Sequence, residues 1–153
     1  MQIISNLIEA HLFRKSERGI EFLLLKRAEK SVYSGLWQMV TGKIKDNESA
    51  YKAALREIKE ETGIIPEKFW VAPNVNSFYN QVNDTITYLP VFAGRVSTES
   101  NVKISSEHCE YRWTKPEVAK KMLAWPGQKK SVDVIMEYFS EENSLSKFIE
   151  IML

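Results

Sequence analysis

Three glutamates, Glu57, Glu60 and Glu61, fall at i, i+3 and i+4 near the end of a helix predicted from about Asn47 to Thr62. The same helix carries Ala50, Ala53, Ala54 and Ile58 at i, i+3, i+4 and i+8, an apolar stripe that faces a core. Asn47 or Asp46 is placed to cap its start, and Gly63 suits the left-handed position just past its end. The acidic side chains share another face, so they sit close together. Like charges at that spacing cost a few tenths of a kcal/mol per pair. The negative end of the helix dipole adds roughly 0.3–1 kcal/mol for each exposed anion. Arg56 and Lys59 relieve only part of this. A hard divalent cation turns the liability into a site, because magnesium takes carboxylate oxygens, water and phosphate oxygens.

Glu48 behaves differently. It lies nine residues before Glu57, about half a turn away around an ideal helix. Phase therefore gives it no direct ligand role. It belongs at the junction of loop and helix, or it holds Arg56.

The run Gly42, Glu48, Arg56-Glu57-Ile58, Glu60-Glu61 and Gly63-Ile64 resembles the Nudix box, GX5EX7REUXEEXGU with U an apolar residue, at every fixed position. Nudix enzymes hydrolyse a nucleoside diphosphate linked to another group, using magnesium or manganese. The resemblance implies an α/β/α sandwich around a mixed β-sheet, with the box forming a loop–helix–loop. It implies that Glu57, Glu60 and Glu61 hold the metal, that the carbonyl near Gly42 adds a ligand, and that Arg56 orients a carboxylate. The segments Trp37–Gly42, Ser106-Glu107-His108, Tyr111-Arg112-Trp113 and Trp125 look like the branch containing dihydroneopterin triphosphate pyrophosphatase, also described as dATP pyrophosphohydrolase. Diadenosine tetraphosphate hydrolases share a similar Glu-His…Tyr-Arg-Trp segment.

The rest of the chain bounds this reading. Its 153 residues suit one domain, 1–153, with a single core. A net charge of +1 argues against broad nucleic-acid binding, which needs a basic patch. The lone Cys109 excludes an internal disulfide and suits a reducing cytoplasm. No signal peptide is read at the start, and no apolar run approaches the ~20 residues that span a membrane. Strands are predicted over Asn6–Arg14, Ile20–Arg27, Gln38–Val40, Trp70–Tyr79, Thr85–Val96 and Glu110–Thr114. Pro90 requires an edge or a bulge. A short helix is predicted from Pro116 to about Met122, a turn at Pro126-Gly127, and a helix over Lys129–Phe139 with Val132, Ile135, Met136 and Phe139 inward. Leu145, Phe148, Ile149 and Leu153 suggest a short final helix, docked or at an oligomer contact. Strands interleaved with helices fit an α/β or α+β sandwich.

Outside the box, Glu107 is the candidate base or extra ligand, set in a loop just before a strand; the competing role is an ordinary exposed glutamate, and the base is then one of the box glutamates, Glu60 or Glu61, which join Arg56 in the catalytic set. His11 and His108 are read as structural and Cys109 as a small core residue. Trp37 is a candidate stacking surface, and Lys26, Arg27 and Lys43 are candidate phosphate contacts, against core and solvated roles. The expected activity is magnesium-dependent cleavage of a nucleoside or pterin triphosphate to monophosphate and pyrophosphate, with manganese able to substitute. The alternatives are a dinucleoside polyphosphate or nucleotide-sugar hydrolase, and a non-catalytic nucleotide-binding module. The expected partners are small molecules, with no nucleic acid or membrane, in a monomer or homodimer.

Overall fold

A computed structural model describes residues 1–141 and 144–153. Its elements are β1 (Gln2–Ile4), β2 (Leu7–Ser16), β3 (Gly19–Arg27), β4 (Trp37–Gln38), β5 (Val40–Lys43), α1 (Ala50–Thr62), β6 (Lys68–Asn80), β7 (Thr85–Arg95), β8 (His108–Thr114), α2 (Pro116–Met122), α3 (Pro126–Phe139) and β9 (Glu150–Ile151). The strands form one sheet in the order β4-β3-β2-β7-β6-β9, with β1 on β7, β5 on β2 and β8 on β3. β7 runs parallel to β1 and β2, and the other pairings are antiparallel, so the sheet is mixed.

Alternation along β2 sorts the two faces. Ile8, Ala10 and Leu12 join Ala53, Ala54 and Ile58 of α1 in one apolar cluster. Phe13 points the other way, into a second cluster with Ala119 and Leu123 from the α2 end and Val132, Ile135 and Phe139 of α3. There Phe13 stacks on Trp70 at 6.0 Å and on Phe139 at 5.4 Å. Helices thus cover both faces of the sheet, the layered α/β/α arrangement expected. Within this second layer Glu9 and His11 are buried polar groups: His11 Nε2 donates to Glu9 Oε1 at 2.5 Å, and Asn76 Nδ2 donates to Glu9 Oε2. His11 is structural, as expected. No helix among the described residues is long and apolar enough to cross a membrane.

Several boundaries differ from the sequence reading, each for a local reason. The acidic helix begins at Ala50 with Ser49 as N-cap, rather than at Asn47. Asn47 takes a left-handed turn (φ 62), and Glu48 uses its carboxylate to accept from Lys45 N–H, so the chain here is still a loop. The region around Gln38–Val40 is two short strands, and β1 has no counterpart in the expectation. Pro126-Gly127 is the first turn of α3 instead of a free turn. Proline is at home there, and glycine is required because a Cβ on Gly127 would lie 2.4 Å from Asn76 Oδ1. Pro90 lies where β1 (opposite 85–87) hands over to β2 (opposite 91–95) and where the β6 register shifts, the irregularity its missing N–H demands. The chain end is a short 3-10 helix over Ser144–Phe148, but the last residues expected to continue it form β9, which pairs with β6. Cys109 is exposed rather than in the core, because it lies on the outward side of β8.

Candidate active site

The loop after β5 and the last turns of α1 are tied together by Arg56. Its Nε and Nη2 grip the two Glu48 carboxylate oxygens at 2.8 and 2.9 Å, and Nη2 also donates to the Lys43 carbonyl at 2.9 Å. Nη1 donates to Glu57 Oε1 at 2.6 Å and to Glu60 Oε2 at 3.3 Å. One guanidinium therefore spaces three carboxylates, a use of its planar fork that lysine cannot match. The hydrogen bonds from Arg56 hold the Glu48 carboxyl down at about 2. Glu48 thus lies at the junction of loop and helix and also holds Arg56, the two roles expected of it.

Gly42 explains its own identity. A Cβ there would lie 2.2 Å from Glu57 Cδ, so the Glu57 side chain occupies the space that any other residue would fill. Burial pushes the Glu57 carboxyl up, and Arg56 works against that shift. Glu61 is only 3% exposed, and its Oε2 has no hydrogen-bond partner. Burial, and then the charges of Glu57 and Glu107, push the Glu61 carboxyl up to about 9. Arg27 is the cation that eases it.

Glu107 arrives from a distant stretch, and backbone bonds show how. The carbonyls at the end of α1 need donor partners outside the helix. Lys103 N–H donates to Thr62 O at 2.8 Å, and Ser105 N–H donates to Glu61 O at 3.3 Å. From the other side, Ala28 N–H and Ser31 Oγ donate to Glu107 O at 3.0 and 3.2 Å. Glu57, Glu60, Glu61, Ser105, Ser106 and Glu107 line one cavity of about 190 Å³. His108 is buried beside it and accepts from Gln38 Nε2 at 3.2 Å. Burial and Arg27 push its imidazole down to about 4, so it is neutral near pH 7.

The donor set is all oxygen and mostly carboxylate, which suits a hard cation. The unpartnered Glu61 oxygen and the acid-lined cavity fit such an ion. Among the described residues no three ligating groups already converge on one point. Glu57 and Glu60 each lend one oxygen to Arg56 and keep the other.

Other sequence candidates fall elsewhere. Trp37 is half-buried outside this cavity, with the Arg112 guanidinium 4.9 Å and the Lys26 ammonium 5.9 Å from its ring centroid. Lys43 is exposed and contributes its carbonyl to Arg56. Ser105, with a buried Oγ that lacks a partner, escaped sequence reasoning; nothing about a lone loop serine marks it.

Comparison with known proteins agrees with this geometry. The NUDIX domain family matches residues 10–135. A CTP pyrophosphohydrolase of Escherichia coli is 33% identical over 103 residues, covering 67% of this chain and 73% of that protein. An octanoyltransferase of Myxococcus xanthus is 29% identical over 122 residues, and this chain spans only 32% of its length. The structure of the Escherichia coli dihydroneopterin triphosphate pyrophosphohydrolase shares the fold at a TM-score of 0.70 and 19% identity, covering 86% of this chain and 92% of that one. With the family matched over most of its length and every fixed box position filled, this chain belongs to the NUDIX domain family.

Proposed function

We propose that this Nudix protein is a magnesium-dependent pyrophosphohydrolase, with manganese as a working substitute, that cleaves a nucleoside triphosphate or a related pterin triphosphate to monophosphate and pyrophosphate. The observation that carries this reading is the buried carboxylate of Glu61, its Oε2 without a hydrogen-bond partner, beside Glu57, Glu60 and Glu107 in a single cavity. The CTP pyrophosphohydrolase relative supports a triphosphate as substrate. Glu57, Glu60 and Glu61 hold the metal, and the carbonyl near Gly42 is within the same corner of the fold. A divalent cation bound there neutralises phosphate charge, makes a water more acidic and aligns the attacking and leaving oxygens.

The chain's own groups do the rest. Arg56, anchored by Glu48, fixes the positions of Glu57 and Glu60 on the wall of the cavity, with one oxygen of each left to a metal. Glu107 on the opposite wall takes the proton of the attacking water. Its carbonyl is held by Ala28 and Ser31, and Lys103 and Ser105 just before it are tied to the end of α1, so its side chain starts from a fixed origin. Arg27, whose charge reaches Glu61, meets the substrate's phosphates.

The test is Glu61→Gln, which keeps the shape and removes the charge. Turnover should fall by at least about 100-fold. Near-wild-type turnover at saturating magnesium would sink the assignment. A panel of nucleoside triphosphates, dihydroneopterin triphosphate, diadenosine polyphosphates and nucleotide sugars, run in water labelled with heavy oxygen, identifies the substrate and the phosphorus attacked. Tight nucleotide binding without hydrolysis under either metal would instead favour a binding module.

A further inference from the structure

The sheet ends in an edge that is protected along only part of its length. β9 covers the outer side of β6 at Phe69 and Trp70, and Val71 N–H donates to Ile149 O at 2.9 Å. Pro73 and the register shift between Val71 and Val75 then break the edge. From Val75 to Asn80, β6 pairs with β7 on its inner side. Among the described residues, no backbone group pairs with its outer side there. Unpaired N–H and C=O groups in a row are a template for another strand, and proteins normally blunt them with lysine, proline or a bulge. Here those devices stop at Val75.

The side chains agree. From Val71 through Asn83 there is no charged residue, in a chain whose residues are 27% charged. Val75 and Tyr79 are 60% and 55% exposed, and they lie on one face with Tyr88, cross-strand from Ser77 and 42% exposed. None of the three joins either core cluster.

We infer that this segment is the interface for a second copy of the chain, β6 adding antiparallel to β6. A two-fold axis near Ser77 sets Val75 of one copy beside Tyr79 of the other, a β-branched–aromatic pair that stabilises adjacent strands. An isologous contact must be self-complementary, and a strip without charge meets its own copy without repulsion. The nearest charge, Asp84, accepts from Tyr79 Oη at 3.1 Å and pairs with the Met1 ammonium at 3.0 Å, so the strip offers a charged partner no unpaired countercharge. The inference is independent of the catalytic reading, since no residue of the acidic cavity takes part.

Light scattering across a concentration series tests it. Wild type should rise from the 17.7 kDa chain mass toward twice that value, while the double variant Val75→Lys, Tyr79→Lys stays at 17.7 kDa with an unchanged melting temperature. Amide exchange over residues 75–80 of the wild type should slow as concentration rises, and this measurement decides alone if the variant melts early. A wild-type mass of 17.7 kDa at every concentration, exchange that ignores concentration, or a dimer indifferent to the lysines would each overturn the inference.

Discussion

Replacing Gly42 by alanine adds one methyl group at the point where the structure has least room. Gly42 is not among the residues with positive φ, so alanine fits the backbone, and the β2–β5 pairing of Ile8 with Gly42 stays intact. The added Cβ would sit 2.2 Å from Glu57 Cδ, whereas ordinary van der Waals contact begins near 3.4 Å. The Glu57 carboxyl must therefore retreat by about 1.2 Å (3.4 less 2.2), enough to break its 2.6 Å bond to Arg56 Nη1. A misplacement of ~1 Å in a reacting array costs on the order of 100-fold in rate. The expected outcome is a kcat lower by about that factor and a melting temperature within about 2–4 °C of wild type, since no core contact is lost. Pyrophosphate release measures the first and circular dichroism the second. Manganese titration followed by water proton relaxation should show weaker binding, which separates a displaced ligand from a blocked substrate. Wild-type kcat with normal manganese binding would refute the claim that Gly42 exists to make room for Glu57.

Glu48→Gln removes the charge that anchors Arg56; turnover should drop by roughly 10–100-fold, as for other outer partners of metal ligands, with the substrate's phosphate contacts untouched. The same variant has a pH signature. Because the Glu48 carboxyl is depressed from 4.5 to about 2, its stabilisation is present above pH 4.5 and is lost as pH falls toward 2. Melting temperature against pH should therefore fall less steeply over that acid range in Glu48→Gln than in wild type, and parallel curves would count against the pairing. Glu9→Ala leaves the buried His11 and the half-buried Asn76 without their partner; unfolding in urea should show a loss of about 3–5 kcal/mol, while activity at low temperature persists because the pair lies outside the acidic cavity.

How much of this was legible in the sequence depends on whether the relevant contacts are local. The acidic cluster was, because i, i+3, i+4 spacing is a property of the helix itself. The distinct behaviour of Glu48 was legible too, but helix phase was not its cause: Glu48 precedes the helix and is set apart by its loop position and its grip on Arg56. The layered fold followed from the order of strands and helices. The position of Glu107 did not, because it depends on bonds between α1 and residues 103–105, more than forty positions apart, made to satisfy helix-end carbonyls that no pattern announces. Pro126-Gly127 misled for a related reason: the pair signals a turn locally, but it opens α3, where proline suits the first turn and the missing Cβ of Gly127 leaves room for Asn76, fifty residues earlier. At the chain end the helical spacing holds only through the 3-10 helix that contains Leu145 and Phe148; beyond it β6 offers an open ladder at Phe69 and Trp70 that β9 completes. Tertiary pairing overrode periodicity there, and it did so over two residues only. That brevity matters, because a longer β9 would have covered Val75 to Tyr79 and left no edge for a second copy to use.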